Sequence, residues 1–182
     1  MMQSDLEAKQ AITEALYRYC RAMDRIEPEL AKTVWHADAT LDYGHLFKLT
    51  AAEYTASIEA MHASFDATHH QVGNILIDVN GDGATSEAYV TAICWNFLDS
   101  GELRELIAIG RYCDRWSRRT GHWAIDHRHF VLDMMYSWVP PRAPVPISNM
   151  SDRNRNAIEG RRGVADPSHE LVGAITRKAA LV

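Results

Sequence analysis

The sequence predicts an α+β domain in which helices cover one face of a curved antiparallel sheet. Apolar residues recur at helical spacing in roughly the first third of the chain, and they then alternate with a period of two through four long segments. Turn signals join each of these segments to the next, which predicts an antiparallel meander. Helices followed by such a meander are typical of the α+β class.

The first helix is predicted over residues 5–24. Ser4, with Glu7 three residues later, has the spacing of a capping box at its start. Pro28 suits the first position of a short second helix over residues 28–35. The apolar positions that give the first helix its spacing are Ile12, Leu16, Tyr19 or Cys20, and Met23.

A strand and a third helix are predicted next. In residues 37–44, Leu41 and Tyr43 alternate with polar neighbours, as in a strand with one buried face. Thr50 is a suitable N-cap for a third helix, which we expect to end near Asp66.

The predicted meander has four strands, over residues 68–79, 84–98, 104–118 and 122–138. The sequence NGDG between the first two is the strongest hairpin signal in the chain. The sequences DSGE and RRTGH, between the later pairs, are compatible with tight turns. Both faces of the first two strands carry apolar side chains, whereas a sheet with one solvated face alternates cleanly. We therefore expect a homo-oligomer, with cover by the C-terminal tail as the alternative.

The chain is predicted to divide into a domain over residues 1–139 and a tail over residues 140–182. The sequence VPPRAPVPIS interrupts regular structure at the boundary. Residues 169–182 have the composition of a short helix. We expect the tail to pack on a neighbouring subunit or to stay mobile.

Composition excludes several classes of function. The 182 residues carry a net charge of −5 and no basic stripe, so no nucleic-acid partner is expected. No segment has the length of a membrane span, and the polar N-terminus does not resemble a signal peptide. The three cysteines share no CxxC spacing, which favours reduced thiols in a cytoplasmic protein.

A carboxylate and an imidazole stand where the fold can bring them together. Asp24 ends the first helix, and His70 opens the first strand of the meander. Together they are the minimum equipment of a general base with an orienting partner. The alternative is a structural one, in which His70 bonds a backbone carbonyl and Asp24 caps a turn or pairs with Arg21 or Arg25.

Four segments resemble a known family. They are YRYCRAMD, HHQVGNILIDVNGDGATSEAYV, GRYCDRWSRRTGHW and WAIDHR. In order and spacing they resemble the SnoaL-like branch of the nuclear-transport-factor-2-like superfamily, over about residues 5–138. The resemblance implies a cystatin-like fold, in which a cone-shaped, curved antiparallel sheet, or α+β barrel, wraps around the N-terminal helices and leaves a deep pocket at its open end. It also implies a dimer or trimer.

The resemblance implies roles for particular residues. In the dehydratase-like members an aspartate at the end of the first helix pairs with a histidine on a long strand, which corresponds to Asp24 and His70. His70 fits better than His69 because Asn74 stands four residues after it. Tyr19 and Arg128 match further catalytic positions. A second histidine that one dehydratase uses has no counterpart in residues 86–89.

Arg128 and Tyr19 each keep an alternative interpretation. Arg128 faces the interior only if a bulge changes the strand parity, and it would then need Asp24, Asp42 or Glu87 as a partner. Otherwise it forms a surface ion pair. Tyr19 is either a hydrogen-bond donor to substrate or a core aromatic residue, and Tyr17 lies more nearly in line with Asp24.

Further residues are predicted to line an apolar pocket for a small molecule. The alternative for the aromatic members is plain core packing. No metal or other cofactor is expected, because adjacent His69 and His70 point to opposite faces and His127 and His129 lack further ligands. The pocket residues are Tyr43, Asn74, Glu87, Tyr89 and Trp95.

Two functions remain open at this point. The first is a cofactor-independent lyase, dehydratase-like or dehydrohalogenase-like, or an isomerase, acting on a small, apolar, cyclic substrate. His70 would take a carbon-bound proton, Asp24 would orient it, and Tyr19 with Arg128 would stabilise the departing or enolic oxygen. The second is a non-catalytic ligand-binding or assembly module, such as the small subunit of a ring-hydroxylating dioxygenase.

Overall fold

The computed structural model describes residues 4–140 and 160–171. Within these ranges the chain forms helices on one face of a single sheet, followed by a short C-terminal segment. The helices are α1 (Asp5–Arg25), α2 (Pro28–Lys32), α3 (Ala51–His62) and α4 (Ser168–Leu171). The strands are β1 (Trp35–Asp42), β2 (Lys48–Thr50), β3 (Ala67–Asn80), β4 (Gly83–Phe97), β5 (Leu103–Arg119) and β6 (His122–Trp138).

The two helix starts that were predicted from N-cap residues are confirmed by their capping contacts. The Ser4 side chain accepts from the Glu7 backbone N–H, and the Glu7 carboxylate accepts from the Ser4 backbone N–H. Thr50 and Glu53 form the same reciprocal pair at α3. Each box satisfies N–H groups that the first turn of a helix leaves unpaired.

Two helices end earlier than predicted. The second stops at Lys32 because Trp35 already belongs to β1, where it pairs with Ile125 of β6. The hydrogen bonds of the sheet stabilise a strand here, although the sequence has helical periodicity. The third helix ends at His62 rather than near Asp66. The short strand β2 was not predicted.

The sheet has the order β2-β1-β6-β5-β4-β3. The antiparallel meander β3–β6 is confirmed, with each strand end within a residue of the prediction. Because β1 pairs with β6 in parallel, the sheet is mixed rather than antiparallel throughout. The described strands form an open sheet and not a closed barrel. The α+β, cystatin-like class is confirmed.

The core lies between α1 and the inner face of the sheet. Ile12, Leu16 and Met23 of α1 are 1% exposed or less. On β4 the buried side chains alternate strictly with more exposed ones, which defines the inner and outer faces. The buried residues are Ala84, Ser86, Ala88 and Val90, and the same alternation places Ala92 and Cys94 on the inner face.

Two of the β-bulges in the sheet bear on the predicted site residues, because they set which side chains reach the inner face. One lies between Gly73 and Leu76 of β3, where Asn74 adopts a left-handed backbone with φ of 47°. The other shifts the β5–β6 register at Arg115 and Trp116. A bulge reverses the parity of the residues beyond it. The second bulge therefore turns Arg128 inward.

The described part of the tail, residues 160–171, packs against α1 of the same chain. Asp166, for example, pairs with Arg25 at 3.2 Å. Packing of the tail on a neighbouring subunit stays a prediction, and most of the predicted helix over residues 169–182 lies outside the described residues. No helix in the described ranges is long and apolar enough to cross a membrane.

Candidate functional site

Asp24 and His70 are in direct contact. Asp24 lies in the last turn of α1, and His70 lies on the inner face of β3, opposite Ala92. The His70 Nδ1 atom is 2.7 Å from Asp24 Oδ1, and the His70 backbone N–H donates to Oδ2 at 2.9 Å. The side chains of Asp24 and His70 are 12% and 11% exposed. The carboxylate is therefore held by two bonds to one residue.

This arrangement selects one form of the imidazole. An ionised carboxylate only accepts hydrogen bonds, so Nδ1 must carry the proton that lies between it and Oδ1. In the neutral ring the lone pair then resides on Nε2, which has no hydrogen-bond partner among the described residues. The structural alternative is not observed, since Arg21 pairs with Glu27 and Arg25 with Asp166.

A second histidine and a thiol lie beside the pair. The ring centroids of His62 and His70 are 6.4 Å apart, and His62 Nδ1 bonds the Ile58 carbonyl at 2.8 Å. Burial lowers the pKa of His62, and the charges of His70 and Arg162 lower it further. Burial raises the pKa of Cys94 to about 11, and the Asp24 charge adds to that effect. Both groups are therefore neutral near pH 7.

Tyr19 is buried in a chain of three hydroxyl groups. It is 1% exposed, and its oxygen lies 2.6 Å from that of Tyr54 and 3.2 Å from that of Tyr43. The Tyr54 hydroxyl donates to Met23 Sδ at 3.3 Å. Burial raises the pKa of Tyr19 well above its ordinary value. In this arrangement Tyr19 donates to Tyr54, and Tyr43 donates to Tyr19, because each hydroxyl has one proton.

Arg128 faces the interior, but its partner is Asp114 and none of the three predicted carboxylates. Its Nε and Nη2 atoms donate to the two Asp114 oxygens at 2.8 and 2.7 Å, and both side chains are fully buried. The guanidinium carbon lies 4.3 Å from the Tyr19 ring centroid and 3.8 Å from that of Tyr112. Aromatic faces stabilise such a buried cation. The Nη1 atom has no partner among the described residues.

The structure places the predicted pocket residues in three different parts of the fold. Tyr43 is half-buried and belongs to the hydroxyl chain. Glu87, Tyr89 and Trp95 share one strand face as predicted, but it is the outer face, opposite to His70. They do not share a site with Asp24 and His70 within one chain, because successive residues of a strand point to opposite sides. Asn74 is exposed at the β3 bulge and likewise does not share a site with Asp24 and His70.

A cavity of about 490 Å³ lies elsewhere, between α2, β1 and α3. Neither Asp24 nor His70 lines it. Four alanines and Thr55 line it together with the larger side chains of Trp35, His36 and Lys32. It is therefore separate from the candidate catalytic pair.

No group of three or more His, Cys, Asp or Glu side chains in the described ranges is arranged to hold a metal ion. His127 Nδ1 instead bonds the Thr40 hydroxyl at 2.7 Å. Cys20, Cys94 and Cys113 are free thiols.

The model of the SnoaL-like domain family matches residues 4–129 of this chain. The chain belongs to the SnoaL-like family. No curated protein sequence gives a significant match to this SnoaL-like protein.

Solved structures with the same fold include proteins described as enzymes. A candidate scytalone dehydratase from Novosphingobium aromaticivorans is 25% identical, with a TM-score of 0.66, over 81% of this chain and 97% of its own. The hexachlorocyclohexane dehydrochlorinase LinA-type3 from Novosphingobium barchaimii is 14% identical, with a TM-score of 0.67, over 78% and 96%. Rv3472, a protein of unknown function from Mycobacterium tuberculosis, is 17% identical, with a TM-score of 0.62, over 97% and 96%.

Sequence reasoning missed several residues of this SnoaL-like site. Asp114 stands in the quoted segment GRYCDRW, and its parity with Tyr112 on β5 was a signal that it faces inward. Tyr54 and His62 could be placed on α3, but no spacing rule relates α3 to α1. Arg162 has no local signal at all, because it reaches the site through the return of the C-terminal segment.

Proposed function

We propose that this SnoaL-like protein is a cofactor-independent lyase or isomerase that acts on a small, apolar, cyclic substrate. His70 takes a proton from carbon, and Asp24 orients the imidazole and stabilises the imidazolium that forms. In an elimination, the leaving group departs from the neighbouring carbon. In an isomerisation, the proton returns at another carbon. The similar folds of a candidate scytalone dehydratase and a dehydrochlorinase support the lyase class.

The geometry of His70 carries this proposal. Its Nδ1 atom is committed to Asp24 at 2.7 Å, so the free lone pair of the neutral ring is on Nε2. Asp24 is itself fixed by the His70 backbone N–H, which limits rotation of the carboxylate. A base must be held in both position and tautomer to act at neutral pH, and these two bonds provide both.

The hydroxyl chain supplies a second polar group. Tyr43, the half-buried end of the chain, donates inward while Tyr54 donates to Met23. If all three hydroxyls reverse, the chain loses only the weak O–H···S contact, and the Tyr43 proton points outward. A developing oxyanion at Tyr43 favours that reversal. Tyr19 would then act through Tyr43 rather than by direct contact.

Arg128 supports the same end of the chain. Its buried charge lowers the pKa of Tyr43, although burial raises that pKa overall. Since Arg128 is fully buried and paired with Asp114, its direct contact with a leaving group stays a prediction. We propose that it acts as a positioning residue, whose positive charge makes an anion at Tyr43 less costly.

Exchange of carbon-bound protons tests the proposal without knowledge of the natural substrate. Cyclohexanone and 3-hydroxycyclohexanone are incubated with the protein in D2O, and deuterium at the carbon next to the carbonyl is measured by NMR. Transfer of that proton to His70 Nε2 leaves an enolate. The enolate takes up deuterium or, in the hydroxyketone, expels hydroxide from the next carbon to give cyclohexenone.

We expect His70→Ala to slow exchange by about 10²–10⁴-fold. His69→Ala is the matched control, because His69 is the exposed neighbour on the opposite strand face and its loss should leave the rate unchanged. Equal rates in wild type and a folded His70→Ala variant would contradict the proposal. So would a wild-type rate no faster than that of buffer.

A non-catalytic ligand-binding or assembly module is the second proposal, and two observations favour it. The interior hydroxyls of Tyr19 and Tyr54 bond each other, and the cavity of about 490 Å³ lies away from His70. Binding of the cyclic ketones without exchange in the wild type would favour this second function.

A further inference from the structure

The C-terminal segment of residues 160–171, here called the strap, is fastened beside the catalytic pair. Asp166 is 4% exposed and lies 3.2 Å from Arg25 of α1. The Arg21 guanidinium donates to Ser168 Oγ at 3.1 Å. His169 Nε2 lies 2.9 Å from Glu27 just beyond the helix. The strap is thus bound to the end of α1 that also presents Asp24.

The strap carries Arg162 to the neighbourhood of His70. Arg162 Nη1 donates to the backbone carbonyl of His62 at 3.2 Å, and the His62 ring lies next to that of His70. The charges of Arg162 and Asp24 also act in opposite senses on the pKa values of the same two groups, His62 and Cys94. A cation and the carboxylate of the pair therefore flank one small region.

The remaining edge of the Arg162 guanidinium has no acceptor among the described residues. Its Nε and Nη2 atoms are buried, and neither is hydrogen-bonded. Arg128 uses the corresponding edge of its own guanidinium, Nε and Nη2, to hold both oxygens of Asp114 at 2.8 and 2.7 Å. Two parallel N–H groups of this kind match the two oxygens of a carboxylate.

A second unpartnered polar group lies on the same side. Thr68 is 6% exposed, its hydroxyl has no partner in the described ranges, and it precedes His70 by two residues on the inner face of β3. Its register partner is Cys94, the thiol whose pKa the charge of Arg162 lowers. Buried polar groups are normally hydrogen-bonded, and a ligand bound beside His70 would supply partners for both of these groups.

We infer that Arg162 is an anion-binding residue of the site and that the ligand carries a carboxylate. The carboxylate oxygens lie against Nε and Nη2 of Arg162, and the apolar body of the ligand extends toward His70. One guanidinium balances one negative charge, which favours a carboxylate over a phosphate dianion. This names a substrate class for the proposed lyase or isomerase, and only that part rests on the proposed function.

The strap can open to admit such a ligand. Its contacts with α1 are polar, and Val164, its large apolar residue between Arg162 and Asp166, is 87% exposed. A segment that buries few apolar side chains opens locally at a lower cost in free energy than the core. A bound carboxylate then favours the closed strap, because it supplies the acceptor that the Arg162 edge otherwise lacks.

Paired probes of equal shape test the inference. Cyclohexanecarboxylate and the neutral cyclohexanecarboxamide are titrated into the full-length protein, and binding is followed by calorimetry and by the NMR signals of His70. We expect the carboxylate to bind at least about 10-fold more tightly, as for a charge-assisted pair. Arg162→Ala should abolish this preference, and Arg162→Lys, which lacks the bidentate edge, should retain only part of it.

Arg161→Ala is the matched control. Arg161 is the exposed neighbour of Arg162 on the same strap, and its substitution removes the same positive charge. It should keep the preference for the carboxylate. The inference is overturned if wild type binds both probes equally or not at all, or if Arg162→Ala keeps the preference. Unfolding midpoints of the variants exclude a general loss of structure.

This binding assay and the proton-exchange assay fail independently. Carboxylate binding through Arg162 in a protein that exchanges no protons would refute the proposed reaction and leave the anion site standing. Proton exchange that depends on His70, without a preference for the carboxylate probe, would refute the anion site and leave the proposed reaction standing.

Discussion

Asp24 contacts two different parts of His70, and the two contacts do different work. The bond from the backbone N–H fixes where the carboxylate lies, and the bond from Nδ1 fixes which nitrogen of the ring is free. This contact could be predicted because Asp24 ends the first helix, His70 opens a long strand, and the family resemblance points to the same two residues. The partner of Arg128 could not be predicted, since it depends on a bulge in β6 that leaves no clear mark in the sequence.

At the residue scale, His62 should make the fold sensitive to mild acid. Burial lowers the pKa of His62 in the folded state below the value of about 6.5 expected when unfolded. As pH falls, the unfolded chain therefore binds the proton first. The stability that neutral His62 contributes is fully present above about pH 6.5 and is lost as pH falls through the lowered pKa.

Urea unfolding between pH 7.5 and about pH 5 measures this effect. We expect the unfolding midpoint to drop more steeply with acid in wild type than in His62→Gln. His45→Gln, in the exposed turn between β1 and β2, should behave like wild type. Identical slopes in wild type and His62→Gln would contradict the assignment.

At the scale of elements, local chemistry determined some boundaries and tertiary contacts determined others. The starts of α1 and α3 followed from their capping residues, and the meander followed from its turns and its period of two. The end of α2 did not follow from local sequence, because Trp35 pairs with Ile125 of β6 and so belongs to a strand and not to a longer helix. The parallel β1–β6 pair joins segments distant in sequence, which no local pattern encodes.

The β3 bulge gives Asn74 a structural role, and its predicted ligand contact stays a prediction. Its φ of 47° lies in the left-handed region, which costs a residue with a Cβ roughly 1–2 kcal/mol but is tolerated by glycine and asparagine. We expect Asn74→Ala to lower the free energy of unfolding by about 1 kcal/mol and Asn74→Gly to change it by less than about 0.5 kcal/mol.

Urea unfolding separates these variants, with Gln71→Ala, an exposed position on the same strand, as the control. A destabilisation by Asn74→Gly equal to that by Asn74→Ala would show that the backbone conformation is not the reason for asparagine here. Loss of carboxylate binding in a stable Asn74→Gly variant would restore the predicted ligand contact.

At the scale of the whole molecule, the outer face of the sheet is unusually apolar. Tyr89 on β4 and Met134, Tyr136 and Trp138 on β6 are between 43% and 56% exposed. Ile107 and Ile109 lie between them on β5, the strand that separates β4 from β6. Contiguous apolar patches of this kind mark interaction surfaces. The residues predicted for the pocket but found outside it, Tyr89 and Trp95, belong to this face.

We propose that a second copy of the chain covers this face. Light scattering after size-exclusion chromatography should give a dimer or trimer, and Tyr136→Lys should shift it toward the monomer. Leu6→Lys, at an apolar position that is 78% exposed on α1, is the control and should leave the assembly intact. A wild-type monomer at all concentrations would contradict this proposal.

The tautomer of His70 tests the central claim most directly. Long-range ¹H–¹⁵N NMR at neutral pH distinguishes a ring protonated on Nδ1 from one protonated on Nε2. We predict that wild-type His70 is protonated on Nδ1 with the lone pair on Nε2, and that Asp24→Asn loses this preference, because an amide can also donate to Nδ1. A wild-type ring protonated on Nε2, or the same tautomer mixture in wild type and Asp24→Asn, would contradict the account of His70 as an oriented base.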